Sequence, residues 1–514
     1  MILPIGLSNF TQIRQDNFCY VDKTSYLKNL ISVGRRYFLS RPRRFGKSLT
    51  ISTLEAMFSG QKHLFCGLAA EEFVQKYFEK PLPVISFSMP KLRQKTPIFL
   101  EQLLQSQLTS LAKSFDIKID DTILEIRFAR LIEEIYNKFG YIVVLIDEYD
   151  RPILDCIEHP EVASEIRNVL QAFYTVLKDL DGCIYFLMLT GISKFSKTGV
   201  FSSLNNLLDI SMTEEFGNIV GYTQEELEGN FFEQINYTAK KTNLTRESFL
   251  DKLKMYYDGF CFDGKNKVYN PFSVMQCLFN NKFSNYWYES GSSSFIVNYM
   301  KANNIDDPET YEHIEVPDNF MQAHEIEDSS PESFLYQGGY LTIENIGEDS
   351  IVLKYPNYEI RNSINKMYLY SIYNIREYNK LSKNLWLSLN NGKIAEVVDI
   401  YNSALSSVPY DDFPNRDEHW YRSLFIMLLR GAGITAQAEI HTNHGRSDLV
   451  ILLKNYIFVL EFKCAVTESM INNARLLGEK QIAEKNYAEP YKFDSRTLIK
   501  QVIIVDVENR KVVL

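Results

Sequence analysis

The sequence predicts an α/β protein of more than one domain: a parallel sheet with helices on both faces in the N-terminal part, and a smaller α/β domain at the C-terminus. Three observations predict it. Residues 37–40 form a short apolar strand that runs into a Gly-Lys-Ser loop and then a helix. Residues 141–146 are a continuous apolar run that ends in acids, the pattern of a strand buried on both faces of a parallel sheet. Residues 446–463 hold two β-rich runs joined by Lys454-Asn455, which read as a hairpin. At 514 residues the chain is too long for one core, so two to four domains are expected.

The N-terminal elements follow in order. Residues 1–30 lead into the first strand, with Asp22-Lys23-Thr24 as a helix N-cap region. Phe10, Phe18 and Tyr20 are candidates to close over an adenine ring, although core packing suits each better. After the strand at 37–40 comes Arg41-Pro42-Arg43-Arg44-Phe45-Gly46-Lys47-Ser48, and residues 49–58 read as a helix. Strand, loop, Gly-Lys-Ser and helix is the context of a phosphate-binding loop, in which backbone amides and a helix N-terminus cradle anionic oxygens. Arg43, Arg44, Phe45, Gly46, Lys47, Ser48 and Leu49 are then the nucleotide-binding stretch, with Lys47 on the β- and γ-phosphates of ATP and Ser48 on Mg²⁺. One departure stands out: the generic loop has glycine six places before the lysine, and this chain has Arg41.

A strand at 83–89 and helices near 98–115 and 121–138 lead to the acidic strand. There Asp147 would complete the Mg²⁺ shell and Glu148 would polarise the attacking water. A helix at 163–180 precedes a third strand, 183–189, whose polar exit contains Ser193, a candidate sensor of the γ-phosphate. Alternation of this kind indicates a P-loop NTPase core over residues 1–210.

Residues 211–300 change character and read as a helical lid. Thr223 to Glu226 has the spacing of a capping box, Tyr256-Tyr257-Asp258-Gly259-Phe260 punctuates the helices, and Ser290-Gly291-Ser292-Ser293-Ser294 reads as a turn. Residues 301–410 read as a winged-helix-like unit with a helical connector. A helix at 333–337 ends at Gly338-Gly339, strands at 340–343 and 351–353 form the wing with Gly347 at its turn, and Pro356-Asn357 opens another helix. Winged helices can bind DNA. Glu344, Glu348 and Asp349 in this wing favour a structural relay instead.

Residues 411–514 hold the hairpin. Asp448 opens its first strand, and Glu461 and Lys463 close the second. Side chains on a strand alternate faces, so Glu461 and Lys463 share one face and Phe462 takes the other. Asp448 can reach the same end. Two carboxylates suit a hard cation such as Mg²⁺, and the lysine can orient a metal-bound water or neutralise a scissile phosphate. Acid, hairpin and Glu-x-Lys together resemble the core of the PD-(D/E)XK nuclease superfamily, which implies a restriction-endonuclease-like fold, metal ligation by Asp448 and Glu461, and a DNA substrate. The resemblance also implies a preceding helix with another acid, here Glu418 with Glu439 as its competitor, and a following helix whose polar residue is Gln481.

Nearly the whole chain resembles the AAA-ATPase-like proteins that carry a C-terminal PD-(D/E)XK nuclease-like domain. Leu3-Pro4-Ile5-Gly6, Tyr20-Val21-Asp22-Lys23-Thr24, the loop from Arg41 to Ser48, Ile146-Asp147-Glu148-Tyr149-Asp150 and Gly445-Arg446-Ser447-Asp448 carry the likeness. The Arg-Pro-Arg-Arg-Phe-Gly-Lys-Ser form is typical of that family, so Arg41 does not count against nucleotide binding. Arg43 and Arg44 could replace amide donors on the phosphates or equally serve a neighbouring subunit of a homo-oligomer. The resemblance implies a nuclease gated by ATP, and by analogy a role against foreign DNA. Its rivals are a nucleotide-controlled scaffold switch with a silent nuclease-like domain, and a DNA translocase that does not cut.

Composition narrows these choices. A net charge of −10 argues against sequence-blind coating of DNA but leaves room for a local basic groove. The seven cysteines are scattered, with no C-x-x-C pair, and several sit in apolar runs, as reduced core thiols do. His441 and His444 are expected in a loop, without zinc-ligand spacing. No segment has the apolar length to span a bilayer and residues 1–6 lack a basic leader pattern, so a soluble, cytoplasmic protein without a membrane partner is expected.

Overall fold

A computed structural model describes residues 2–89, 92–194, 206–289, 297, 299–300, 308–321, 330–408, 417–434, 436–442, 445–485, 487 and 489–514. The chain forms two compact units: residues 1–290 with 311–360, and residues 291–310 with 361–514.

The first unit is built on a parallel five-stranded sheet. Its strands are β1 (Arg36–Ser40), β2 (Val84–Ser88), β3 (Ile142–Asp147), β4 (Ile184–Gly191) and β5 (Leu208–Asp209), in the order β2-β3-β4-β1-β5. β3 is buried along its whole length, which is why it reads as an unbroken apolar run. Helices Pro97–Ser114, Leu124–Phe139 and Pro160–Asp179 cover the sheet. Phe128, Leu131, Ile132 and Ile135 recur at helical spacing on the second of these and are fully buried. Phe128 stacks on Phe173 of the third at 4.3 Å. Burying each such side chain is worth about 1.5–3 kcal/mol.

The lid consists of helices Gln224–Asn230, Phe232–Lys241, Arg246–Tyr257 and Pro271–Asn280, with a short ribbon, β6 (Phe260–Cys261) and β7 (Lys267–Val268). Thr223 and Glu226 form the capping box. The N-terminal segment is part of this layer: Val21 packs among Leu227, Phe231 and Leu253, and Lys23 pairs with Glu226 at 2.6 Å. Phe10 is fully buried against Tyr20 and Phe65, so its role is core packing.

The winged-helix-like part has helix Pro331–Gly338, which stops at Gly339 (φ +86°), and a sheet of β8 (Ile314–Pro317), β9 (Thr342–Ile346) and β10 (Ser350–Lys354) in the order β8-β10-β9. Gly347 makes the wing turn, its amide donating to the Ser350 carbonyl at 2.7 Å. The turn expected at 290–294 lies outside the described residues.

The second unit carries a mixed sheet. Its strands are β11 (Ala436–Thr442), β12 (Gly445–Leu452), β13 (Tyr456–Ala465), β14 (Thr497–Asp506) and β15 (Lys511–Val513), paired in chain order. β13 and β14 run parallel and the other neighbours antiparallel. Helices Glu418–Gly431 and Ile471–Glu484 pack on it. One expectation is corrected. His441 is not in a loop, because the antiparallel register continues past it, pairing His441 with Arg446 and Thr442 with Gly445. His444 lies outside the described residues.

Candidate active sites

The N-terminal site forms where β1 ends. The loop carbonyls have partners within the protein: those of Arg41 and Pro42 accept from Lys47 Nζ at 2.8 and 2.9 Å, that of Arg43 from the Trp287 indole at 3.0 Å, and that of Phe45 from the Gly221 amide at 3.2 Å. Arg44 and Gly46 have φ of +69° and +108°, a left-handed geometry that gathers successive amides into an anion-binding nest and that glycine adopts without strain. A helix begins at Lys47, and the first amides of a helix have no partner within it. Lys47, Ser48 and Leu49 supply those amides. The donor set therefore fits a polyphosphate.

Not every loop side chain faces that cradle. Phe45 is buried, its ring against Phe260 and Phe262 at 4.8 and 5.5 Å, so only its backbone is available to a ligand. Arg41 is also turned inward. Its guanidinium lies 4.3 Å from the Phe262 ring and donates to the carbonyls of Ser40, Ser211 and Phe216. Burial lowers its pKa to about 10. The residue that breaks the generic glycine pattern thus ties the loop to the lid. Arg43 and Arg44 are exposed, with Arg44 4.8 Å over Phe272.

Acids converge on Lys47. Burial lowers the lysine's pKa, against the pull of Asp147, Asp150 and Glu148. Asp147 ends β3 and accepts from the Thr190 hydroxyl at 2.6 Å and from the Glu148 amide at 3.0 Å. Thr190 is on β4, the strand between β1 and β3. Glu148 has φ +53°, a strained setting for a residue with a side chain, and its carboxylate pairs with Arg151 one turn on. Ser193 gives both its amide and its hydroxyl to Asp150, at 2.7 and 2.6 Å. Burial raises the pKa of Asp150 even so. Gly191 is required beside them, because a Cβ there would lie 2.5 Å from the Tyr149 ring. Sequence reasoning missed the bond of Thr190 to Asp147 and the pairing of Arg151 with Glu148, which depend on strand order and on a turn.

The C-terminal site forms where the hairpin opens. β12 and β13 pair from Leu452/Ile457 to Leu449/Leu460, and one further step of that register sets Asp448 across from Glu461. Opposed residues on antiparallel strands share a face, with Cβ atoms about 4.5–5.5 Å apart. The ladder stops there, and side chains take the amides it leaves: Phe462 N–H donates to Asp448 Oδ2 at 2.8 Å, and Cys464 N–H to Glu418. Glu418 is the first residue of its helix, behind the Asp417 cap, and lies 3.8 Å from Lys463 Nζ. Lys463 also reaches Glu461 Oε1 at 2.9 Å.

Glu461 is fully buried, and its Oε2 has no hydrogen-bond partner among the described residues. Burial raises its pKa well above the usual carboxylate range, with Asp448 and Glu418 adding to the rise and Lys463 opposing it. Burial likewise raises Glu418. An orphaned, buried carboxylate oxygen beside a second carboxylate suits a divalent cation. Two internal cations already act here, however: Lys463, and Arg422, which pairs with Asp448 Oδ1 at 3.1 Å. Arg422 also meets His419 Nδ1 at 2.9 Å. Among the described residues no group of three or more His, Cys, Asp or Glu side chains is drawn together tightly enough to hold a metal ion. Gln481 donates to the Tyr487 hydroxyl at 3.0 Å, and that phenol, its pKa raised chiefly by burial, also feels the charges of Glu461 and Asp448. Glu439 is on β11, its side chain outside the described set. Sequence reasoning missed Arg422, although its place four residues after Glu418 puts both on one helical face.

A phosphate-loop sheet in one unit and an acid-bearing mixed sheet in the other define an ATPase-like protein with a nuclease-like domain. Residues 4–201 match the family described as predicted AAA-ATPase, and residues 416–513 match the PD-(D/E)XK nuclease superfamily. An uncharacterized protein in the vnfD 5′ region of Azotobacter chroococcum mcd 1 is 34% identical over 501 residues, covering 95% of this chain and 93% of the relative. This chain belongs to that family of AAA-ATPase-like proteins with a C-terminal PD-(D/E)XK domain. The Aeropyrum pernix ORC2 protein, solved as ADPNP-ADP complexes, aligns over 71% of this chain and 96% of its own at 11% identity and a TM-score of 0.24, too loose a likeness to bear on the site. Among the described residues no helix is long and apolar enough to cross a membrane.

Proposed function

We propose that this protein binds and hydrolyses ATP at the loop ending in Gly46-Lys47-Ser48, and that its nucleotide state controls a metal-dependent phosphodiesterase site acting on DNA. The observation that carries the proposal is the buried, unpartnered Oε2 of Glu461, set beside Asp448, Glu418 and Lys463 where the hairpin opens.

In the N-terminal site, Lys47 exchanges two carbonyl acceptors for phosphate oxygens, and Ser48 and Asp147 hold Mg²⁺ with the nucleotide. Glu148, released from Arg151, orients the attacking water, and Ser193 keeps Asp150 in place beside Lys47. In the C-terminal site, Asp448 and Glu461 hold the divalent cation and Glu418 stands as the third carboxylate. A bound divalent cation supplies charge neutralisation and an activated water. Lys463 places its ammonium where the phosphodiester charge develops, and Gln481 steadies Tyr487 at the edge. Seven free thiols favour a reducing, cytoplasmic setting. The exposed Arg43 and Arg44 are available to a second copy in a homo-oligomer. A part in defence against foreign DNA rests on family resemblance alone.

One observation favours the alternative, a nucleotide-controlled switch with a silent nuclease-like domain: Asp448 already has a cationic partner in Arg422. Purified full-length protein on single- and double-stranded DNA, with Mg²⁺ or Mn²⁺ and with or without ATP, separates the two. Metal-dependent cleavage that responds to ATP supports the nuclease. ATP hydrolysis without cleavage under any condition supports the switch.

A further inference from the structure

We infer that Arg422 is an internal counter-cation that competes with the divalent metal for Asp448, and so sets the metal concentration at which the C-terminal site loads. The inference rests on the metal-site reading above and adds its regulation. Arg422 and Glu418 lie one turn apart on helix Glu418–Gly431 and face the same opening of the hairpin. Arg422 is largely buried, and its guanidinium reaches Asp448 Oδ1 at 3.1 Å while Phe462 N–H holds Oδ2 at 2.8 Å. Both oxygens of Asp448 are therefore engaged, whereas Glu461 has one oxygen spoken for by Lys463 and one without a partner. Glu418, Asp448 and Glu461 bring three formal negative charges. Lys463 and Arg422 offset two of them, so the attraction for a dication is much weaker than the carboxylates alone would give. Lys463 and Arg422 differ in what they block. Lys463 leaves Oε2 of Glu461 open, but Arg422 sits on a ligand oxygen, so a metal that uses that oxygen must move a fixed, always-charged fork. His419 Nδ1 meets the other terminal nitrogen of the guanidinium at 2.9 Å, a contact that remains to Arg422 when Asp448 is given up.

The test is calorimetric titration of the full chain with Mn²⁺ in the absence of nucleotide, the C-terminal signal being the part lost in Asp448→Asn. Arg422→Gln should bind Mn²⁺ on the order of tenfold more tightly than wild type, as expected when one competing charge-assisted bond is removed. Arg422→Lys keeps the charge without the fork, should fall between the two, and decides the matter if the glutamine variant does not fold. Binding by Arg422→Gln where wild type shows none also supports the inference. Equal or weaker binding in folded variants, with wild-type binding intact, overturns the competition and leaves the metal site standing. If no protein binds Mn²⁺ in an Asp448-dependent way, the metal site and this inference fall together.

Discussion

The two candidate sites use the same parts and hold them differently. Each pairs an acid on a strand with a lysine, buried at Lys47 and half-buried at Lys463. In the N-terminal unit the acid, Asp147, is held by neutral donors, the Thr190 hydroxyl and the Glu148 amide, and the lysine, Lys47, rests on two backbone carbonyls. In the C-terminal unit the acid, Asp448, is held by the guanidinium of Arg422 as well as by the Phe462 amide, and the lysine, Lys463, lies against carboxylates as well as the Phe462 carbonyl. Neutral partners position a charge without cancelling it, so Asp147 keeps its pull on a cation and Lys47 its pull on a phosphate. Charged partners cancel what they hold. On the proposed reading both sites give up an ion pair, but in the first it is Glu148 with Arg151, which leaves Asp147 uncancelled, whereas in the second it is Asp448 itself with Arg422.

The largest expected effect is at Lys47. Lys47→Ala should weaken ATP binding about 10- to 100-fold, the worth of a charge-assisted hydrogen bond to phosphate, and bring hydrolysis below detection. Unchanged ATP affinity by calorimetry would remove the N-terminal half of the comparison. Glu148→Gln should keep ATP binding and slow turnover about 100-fold or more, the loss of a positioned base. A turnover near wild type would move the water-orienting role to Asp150. Two stability measurements then sharpen the contrast between charged and neutral support. Arg422→Gln leaves a mostly buried Asp448 without its cation and should cost the C-terminal unit about 3–5 kcal/mol in metal-free denaturant unfolding. Thr190→Val removes one neutral donor from Asp147 and should cost about 1–3 kcal/mol. Equal losses in the two variants would mean that the charge of Arg422 contributes nothing beyond a hydrogen bond.

What could be read in the sequence follows from how far apart the cooperating residues lie. Gly46-Lys47-Ser48 and Asp147-Glu148 are legible because a strand end fixes each group within a few residues. The alternation Glu461-Phe462-Lys463 is legible for the same reason, and the register that carries Asp448 to Glu461 follows from a short hairpin turn. Thr190 was legible only as part of a polar strand exit, because its contact with Asp147 exists only once β4 is inserted between β1 and β3. Arg422 meets Asp448 across 26 residues of chain. Helical spacing put it on the face of Glu418, but nothing local gave it a partner. Arg41 and Phe45 read as part of a phosphate loop, and their side chains instead bind the loop to the lid, whose packing no local pattern encodes.

The central claim is that the C-terminal site cuts DNA and does so through Glu461. Wild type and Glu461→Ala should be compared on one duplex and one single-stranded DNA, with Mn²⁺ and ATP present and ATP hydrolysis followed in the same reaction. The account predicts cleavage by wild type, none by Glu461→Ala, and equal ATP turnover in both. Cleavage by Glu461→Ala at the wild-type rate, or no cleavage by either protein while both turn over ATP, would contradict it.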